Sequence, residues 1–312
     1  MRTCLIIANP AAGHGAGRRL VPDVRRILSE QDTRCEIVLT ERPWHAAELA
    51  QAGAEAGHGV VVAMGGDGTA NEVLNGLMAA KAMGRCCCQM GIIAVGRGND
   101  MAYGMGIPTG VEESCHTLAN GSHRTVDVGR VVGGLYPEGR YFGNGIGIGF
   151  DTIVGFEAAK LRRLTGFAAY FVAALKTMFL YYTAPLTRIE YDGNTLSQPS
   201  LMVSLMNGQR MGGGFMMAPD SSPDDGLIDV CVVHQVSRAR MLPLILRFMQ
   251  GTQYTQRPVK GFRAREIIVT ALDGRLPAHA DGETICTDGQ QLQITVLPRQ
   301  IGVICGTEGV DT

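Results

Sequence analysis

The stretch Gly65-Gly66-Asp67-Gly68-Thr69-Ala70-Asn71-Glu72-Val73 places the tightest constraint on how this chain can fold. The run before it, Val60-Val61-Val62-Ala63-Met64, is almost wholly apolar, as in a parallel strand buried on both faces. After it, Val73, Leu74, Leu77 and Met78 fall at helical spacing, and Thr69 with Glu72 has the spacing of a capping box. The stretch therefore predicts strand, glycine turn, helix. Gly65, Gly66 and Gly68 let the backbone approach a ligand closely, and the helix N-terminus presents N–H groups to an anion. A phosphate fits. Asp67 would repel phosphates unless a cation lay between them, so a metal–nucleotide complex fits better. On the local sequence alone, a capped glycine turn without a ligand stays open.

Three more strand–loop–helix units surround this one. Residues 3–8 read as a strand followed by Asn9-Pro10-Ala11-Ala12-Gly13-His14-Gly15-Ala16-Gly17 and a helix over about 18–31. Arg18 spoils a G-x-G-x-x-G fingerprint, and no P-loop lysine follows. The loop is either a phosphate or ribose contact through Asn9 or a plain connector. Residues 35–40 predict a second strand, 44–56 a helix, and 90–95 a fourth strand ending at Gly96-Arg97-Gly98-Asn99-Asp100. Four strands alternating with helices predict a doubly wound parallel sheet. Its ligand end would be the carboxyl ends of the strands, where all three glycine loops lie.

The second half has a different texture. Strands are expected over 124–132, 140–148, 186–192, 200–207, 227–234, 266–271 and 291–297, with helices over 152–182 and 237–251. That pattern predicts an antiparallel β-sandwich. The expected division is 1–124 for the α/β domain, 125–300 for the sandwich and 301–312 for a tail returning to the first domain. Two acidic groups punctuate this half. Residues 219–229 concentrate Asp220, Asp224, Asp225 and Asp229, a set suited either to a hard cation such as Mg²⁺ or to a solvated turn. Asp281-Gly282-Glu283 is either a hairpin turn or a pair of acids, one orienting and one accepting a proton.

Net charge −1 and the lack of a basic run give no reason to expect nucleic acid. Nine scattered cysteines without a CxxC pair argue against zinc and against a disulfide framework, and point to a reducing cytoplasm. The stretch 167–184 contains Lys176 and lacks the ~18 to 20 uninterrupted apolar residues of a membrane span, so it reads as a packed amphipathic helix with interfacial contact as the alternative.

The succession Gly65–Gly76, Gly98-Asn99-Asp100-Met101-Ala102, Asn144-Gly145-Ile146-Gly147-Ile148-Gly149-Phe150-Asp151, Asn207-Gly208-Gln209-Arg210-Met211-Gly212-Gly213-Gly214, the 219–229 loop and Asp281-Gly282-Glu283 resembles the bacterial soluble diacylglycerol/lipid kinase family over nearly the whole chain. The Gly-Gly-Asp-Gly core is shared with sphingosine kinases and NAD kinases. The resemblance implies an α/β nucleotide-binding domain, a β-sandwich, ATP and Mg²⁺, and phosphorylation of a lipid hydroxyl at a membrane surface by a cytoplasmic protein that visits it. It implies ATP contacts from Asn9, Thr40, Gly65, Gly66, Asp67, Gly68, Thr69, Asn71, Glu72, Arg97, Asn99 and Asp100, with Asp67 acting through Mg²⁺. A structural Mg²⁺ would be held by Asp225 and the carbonyls of Ser222 and Leu227. Glu283 would be the general base, with Asp281 beside it. Arg97 departs from the family's threonine, so that contact differs here. The lipid itself and the oligomeric state are not set; a homodimer is compatible with the sequence.

Overall fold

Each apolar run of the first half is a strand. The elements run β1 (Thr3–Ala8), α1 (Ala12–Arg19), α2 (Val21–Glu30), β2 (Arg34–Leu39), α3 (His45–Glu55), β3 (Val60–Gly65), α4 (Asp67–Ala82), β4 (Gln89–Ala94), α5 (Asp100–Gly104) and α6 (Val111–Asn120). The structure, a computed structural model, describes residues 3–85, 88–161, 166–180 and 183–306. It divides into two units, Met1–Asp127 with Arg299–Thr312, and Val128–Pro298.

In the first unit the parallel order is β2-β1-β3-β4, with Ile6 opposite both Ile37 and Val62, and Val61 opposite Met90. Alternation along the strands sorts the helices onto two faces. Ile6, Val62, Met64 and Ile93 share a core with Val24, Ile27 and Leu28 of α2 and Cys115 and Leu118 of α6. Leu5 and Val61 point the other way, toward Gly53 of α3. Gly76 then lets α4 lie against α3, since a Cβ there would stand 2.1 Å from the Ala47 carbonyl oxygen.

Three local expectations are corrected. The helix expected over 18–31 is split. Gly13, His14 and Gly15 have φ of 56°, 56° and 88° and interrupt α1, and α2 begins at Val21 with Pro22 in its first turn. The capping box at Thr69 and Glu72 does not form. Asp67 opens α4 behind Gly66, and Glu72 accepts the N–H of Ala46 at 3.1 Å instead. A packing contact between two helices has displaced the local cap. Finally, Cys4 and Cys35 are joined in a disulfide, because the β1–β2 register sets them opposite one another with Cα atoms 4.5 Å apart. Cys88, Cys115, Cys231, Cys286 and Cys305 are free thiols, whereas Cys86 and Cys87 lie outside the described residues.

The second half supplies β5 (Ser122–Gly133), β6 (Tyr136–Phe142), β7 (Gly145–Gly149), α7 (Phe150–Lys160), α8 (Gly166–Leu180), β8 (Leu186–Tyr191), β9 (Asn194–Met206), β10 (Ile228–His234), α9 (Arg238–Gln250), β11 (Val259–Ala264), β12 (Glu266–Ala271), β13 (Leu276–Ala280), β14 (Glu283–Gly289) and β15 (Gln291–Cys305). The unit boundaries fall within β5 and β15, and the far end of β15 joins the first sheet in parallel, Val303 opposite Met90. Positions 307–312 of the expected tail lie outside the described residues.

In the second unit β9 serves two antiparallel layers. Asn194–Pro199 pair with β8, and Ser200–Met206 pair with β7 and β10. Between the layers lie Ile146, Ile148, Ile189, Val203, Leu205, Val230, Val232, Ile267, Val269 and Ile294. The opposite faces of β9 and β10 carry Met202, Met206, Cys231 and Val233, which pack on Met241, Leu244 and Phe248 of α9. The strand expected over 140–148 is two strands broken at Gly143 and Asn144. The helix expected over 152–182 is α7 and α8, with 162–165 and 181–182 outside the described residues. Three strands went unpredicted: β11 and β13 are short and interrupted by Gly261 and Pro277, and burial does not alternate along β14.

Candidate active site

Three loops meet at the carboxyl ends of β1, β3 and β4. The contact is made by glycine. A Cβ on Gly96 would stand 2.4 Å from the Gly66 Cα, and one on Gly13 would stand 2.5 Å from the Val95 carbonyl oxygen. Polar side chains lock this arrangement. Asn9 Nδ2 donates to Thr69 Oγ1 at 3.1 Å, and Asn99 Oδ1 accepts the Gly96 N–H at 2.9 Å. Asp67 Oδ1 accepts the Met101 N–H at 2.9 Å, tying the first turn of α4 to α5. Asn99 has a left-handed φ of 53°, a conformation asparagine tolerates better than most side chains.

The predicted residues of this unit divide by exposure. Gly66, Asp67, Gly68, Asn9, Thr40 and Asn99 are half-buried, and Arg97 is exposed. Asn71 and Asp100 are buried, Gly65 lies within β3, and Thr69 is held under Asn9. Asn71 Oδ1 accepts from Asn75, and Glu72 is held by Ala46. The buried Gly65, Thr69, Asn71 and Asp100 shape the loop, while the half-buried group, which includes Glu72, is what a ligand could reach. Thr40 follows β2, its N–H bonded to the Ala8 carbonyl beside Asn9.

In the second unit Asp281 and Gly282 form the two-residue turn between β13 and β14, with φ of 47° and 85°. Both left-handed values belong to the hairpin turn that Asp-Gly favours. The Asp281 side chain turns inward and is only 4% exposed. Its carboxylate accepts three main-chain N–H groups, from Gly143 at 2.8 Å, Asn144 at 3.0 Å and Gly145 at 2.9 Å. Asn207 Nδ2 donates to the Gly143 carbonyl and Asn144 Nδ2 to the Arg210 carbonyl. The two Asn-Gly segments are thus bound into one frame around Asp281. Glu283, next on the hairpin, is half-buried. The acids therefore differ in situation, one enclosed by donors and one open to solvent.

The 219–229 loop is closed by an Asx turn, Leu227 N–H to Asp225 Oδ1 at 3.0 Å. Arg263 draws its acids together, with Nε 3.0 Å from Asp229 Oδ1 and Nη1 3.7 Å from Asp225 Oδ2. Burial, with the Asp225 charge adding to it, pushes the Asp229 carboxyl above its usual range. Asp229 Oδ2 is buried with no hydrogen-bond partner. An orphaned buried oxygen, a second carboxylate and the main-chain carbonyls of Ser222 and Leu227 are hard oxygen donors, the type that fits Mg²⁺. Among the described residues no group of three or more His, Cys, Asp or Glu is placed to hold a metal, so water would have to complete such a site.

Residues 3–131 match the sequence model of the diacylglycerol kinase catalytic domain, and residues 144–305 match that of the YegS C-terminal NAD kinase beta sandwich-like domain. The chain belongs to the diacylglycerol kinase family. Diacylglycerol kinases of Staphylococcus saprophyticus and Bacillus subtilis are each 28% identical to this chain, over 89% of it and 88% of the first protein, and over 91% of it and 90% of the second. The solved diacylglycerol kinase of Bacillus anthracis strain Sterne shares the fold, with a TM-score of 0.74 at 21% identity over 99% of this chain and 98% of that one. An NAD kinase from Archaeoglobus fulgidus, solved with ATP, shares it more loosely, with a TM-score of 0.51 at 14% identity over 99% and 95% of the two chains.

This kinase-type enzyme also holds a half-buried carboxylate that sequence reasoning did not single out. Asp151, in the first turn of α7, accepts the Ser204 hydroxyl at 2.9 Å and the Thr152 N–H at 2.8 Å. Burial pushes its carboxyl up to about 7, against the opposing pull of those hydrogen bonds. His279, on β13, is held down to about 4 by burial, and its Nδ1 has no partner. Gly147 makes the room, because a Cβ there would meet Asp151 Oδ2 at 2.5 Å and His279 Nε2 at 2.6 Å. The glycine spacing of residues 145–149 was the available signal.

A cavity of about 720 Å³ in the first unit is lined by Cys4, Arg25, Asp32, Arg34, Glu36 and His58 among others. It contains no residue of the glycine loops. The chemistry lies with the loops, where the polar groups converge.

Proposed function

We propose that this kinase transfers the γ-phosphoryl group of ATP to a free hydroxyl of diacylglycerol or a closely related lipid, giving a phosphomonoester and ADP. The observation that carries this reading is the Gly66–Gly96 contact, which gathers Asn9, Asp67 and Asn99 at the carboxyl ends of adjacent parallel strands. Half-buried main chain at a helix N-terminus suits the phosphates, and the exposed Arg97 adds a cation in place of a hydroxyl. Family membership supports a lipid as the acceptor.

Glu283 takes the proton of the acceptor hydroxyl as its oxygen bonds to the γ-phosphorus and the bond to the β-phosphate oxygen breaks. Asp281 is a positioning residue. Its three N–H bonds fix the turn that presents Glu283. Asp67, anchored by Met101, would act on the phosphates through Mg²⁺, and Asp225 with the Ser222 and Leu227 carbonyls would hold a structural Mg²⁺. Bound Mg²⁺ supplies positive charge that offsets the phosphates and the acidic loop. Positioning and electrostatics carry most of a phosphoryl transfer, so one base is a sufficient complement. Among the described residues no helix is long and apolar enough to cross a membrane, and a cytoplasmic protein visiting the bilayer surface would meet its acceptor there.

Labelled ATP presented with diacylglycerol, phosphatidylglycerol, ceramide, a sphingoid base and NAD tests the reading. Label is expected in the diacylglycerol product. Label in NADP alone would overturn the lipid assignment.

A further inference from the structure

The face of α8 and α9 turned away from the sandwich is apolar where a helix surface is ordinarily charged. Met241, Leu244, Ile245 and Phe248 bury one side of α9. On the other side Leu242 and Leu246 are 43% and 45% exposed, and on α8 Val172 and Phe179 are 41% and 65% exposed. The two helices share one surface. Arg238 at the start of α9 donates from Nε to the Met178 carbonyl at 3.2 Å, next to Phe179, and Met178 packs in the same cluster as Met241 and Leu244.

Helical spacing orders the exposed side of α9. Leu242 and Leu246 (i, i+4) run along its middle with Ala239 and Pro243, Arg240 and Arg247 (i, i+7) along one border, and Arg238 along the other. Neither α8 nor α9 contains an acidic residue. Lys176 of α8 is occupied by Glu157 at 2.5 Å, so the arginines of α9 carry the positive charge of this face. The chain as a whole is at −1, which makes the attraction local.

We infer that this α8–α9 face docks on the surface of a bilayer containing anionic phospholipid. The inference deepens, and rests on, the lipid-kinase reading: it names the surface by which such an enzyme meets its acceptor. An apolar centre bordered by arginines, with no carboxylate on either helix, is the pattern of a helix lying in the interface of an anionic membrane. A water-facing helix would scatter both signs of charge. A protein partner of ordinary composition would leave some of these arginines facing matched acids and the rest desolvated, whereas a phosphate layer satisfies all of them together.

The test is co-sedimentation of the full chain, without nucleotide, with vesicles of phosphatidylcholine alone or of equal parts phosphatidylcholine and phosphatidylglycerol. The chain should pellet with the anionic vesicles. The pair Leu242→Ser with Leu246→Ser, and separately Arg240→Gln with Arg247→Gln, should each weaken that binding roughly 10-fold or more. Both should keep wild-type transfer to a short-chain diacylglycerol dispersed in detergent and wild-type thermal unfolding. Absence of the chain from anionic pellets, equal binding to neutral vesicles, or wild-type binding by both double variants would overturn the inference. So would loss of a concentration-dependent dimer in either variant, which would assign the face to a second copy. The sedimentation arm contains no ATP, so a chain that binds anionic vesicles yet phosphorylates no lipid refutes the kinase reading and leaves the docking face standing.

Discussion

Asp281 Oδ1 lies 2.9 Å from the N–H of Gly145, a residue 136 positions earlier. With the bonds to Gly143 and Asn144, that contact makes the β13–β14 turn a fixed frame. Asp281→Ala would leave three main-chain donors without their acceptor, at ~1 to 3 kcal/mol for each that stays buried. The expected loss of stability is about 3 kcal/mol or more, read by urea unfolding, with Asp281→Asn losing less because it keeps one acceptor oxygen. A loss below about 0.5 kcal/mol in the alanine variant would mean the frame is held by other contacts.

Gly96→Ala should damage nucleotide binding without unfolding the second unit. The added Cβ would stand 2.4 Å from the Gly66 Cα, and main chain cannot turn aside as a flexible side chain can. Calorimetric titration should show ATP affinity falling roughly 10-fold or more, equivalent to about 1.4 kcal/mol. Unchanged affinity would separate the Gly66–Gly96 contact from the ATP site.

Arg97→Thr removes an exposed cation from the loop after β4. The KM for ATP should rise roughly 3- to 10-fold at low ionic strength with kcat little changed, and the difference should shrink in concentrated salt as screening takes over. A salt-independent KM equal to the wild type would place that guanidinium away from the phosphates.

Asp151 and His279 impose opposite pH dependences on stability. The Asp151 carboxyl, at about 7 folded and ~3.9 unfolded, binds more protons in the folded state, so its contribution falls as pH rises from about 4 to 7. His279, at about 4 folded and ~6.5 unfolded, binds more protons unfolded, so its contribution is lost as pH falls through that window. Each slope is limited to about 1.4 kcal/mol per pH unit. Relative to wild type, Asp151→Asn should gain Tm as pH rises from 4 to 7, and His279→Gln should lose it from 4 to 6.5. Three parallel Tm curves would contradict both assignments.

Local pattern made the first unit legible, because parallel strands buried on both faces are continuous apolar runs and the glycine loops sit where such sheets bind ligands. The departures came from distant contacts. Glu72 has the spacing of a cap but is drawn to Ala46 on a neighbouring helix. The break between β6 and β7 falls where Asp281 claims three N–H groups, and nothing near Gly143 announces a partner at 281. Cys4 and Cys35 are brought together by strand register, which neighbouring residues do not encode. At the candidate site the acids themselves were legible, but not the inward turn of Asp281 or the half-buried Asp151 beside Gly147.

Phosphoryl transfer by wild type and Glu283→Gln, measured side by side, bears most directly on the central claim. With γ-labelled ATP and diacylglycerol in vesicles, the wild type should place label in extractable lipid. The variant should bind ATP with wild-type affinity and transfer label roughly 10²-fold more slowly or worse, as loss of a general base requires. Wild-type-like transfer by Glu283→Gln, or label that never enters lipid with either protein, would contradict the account.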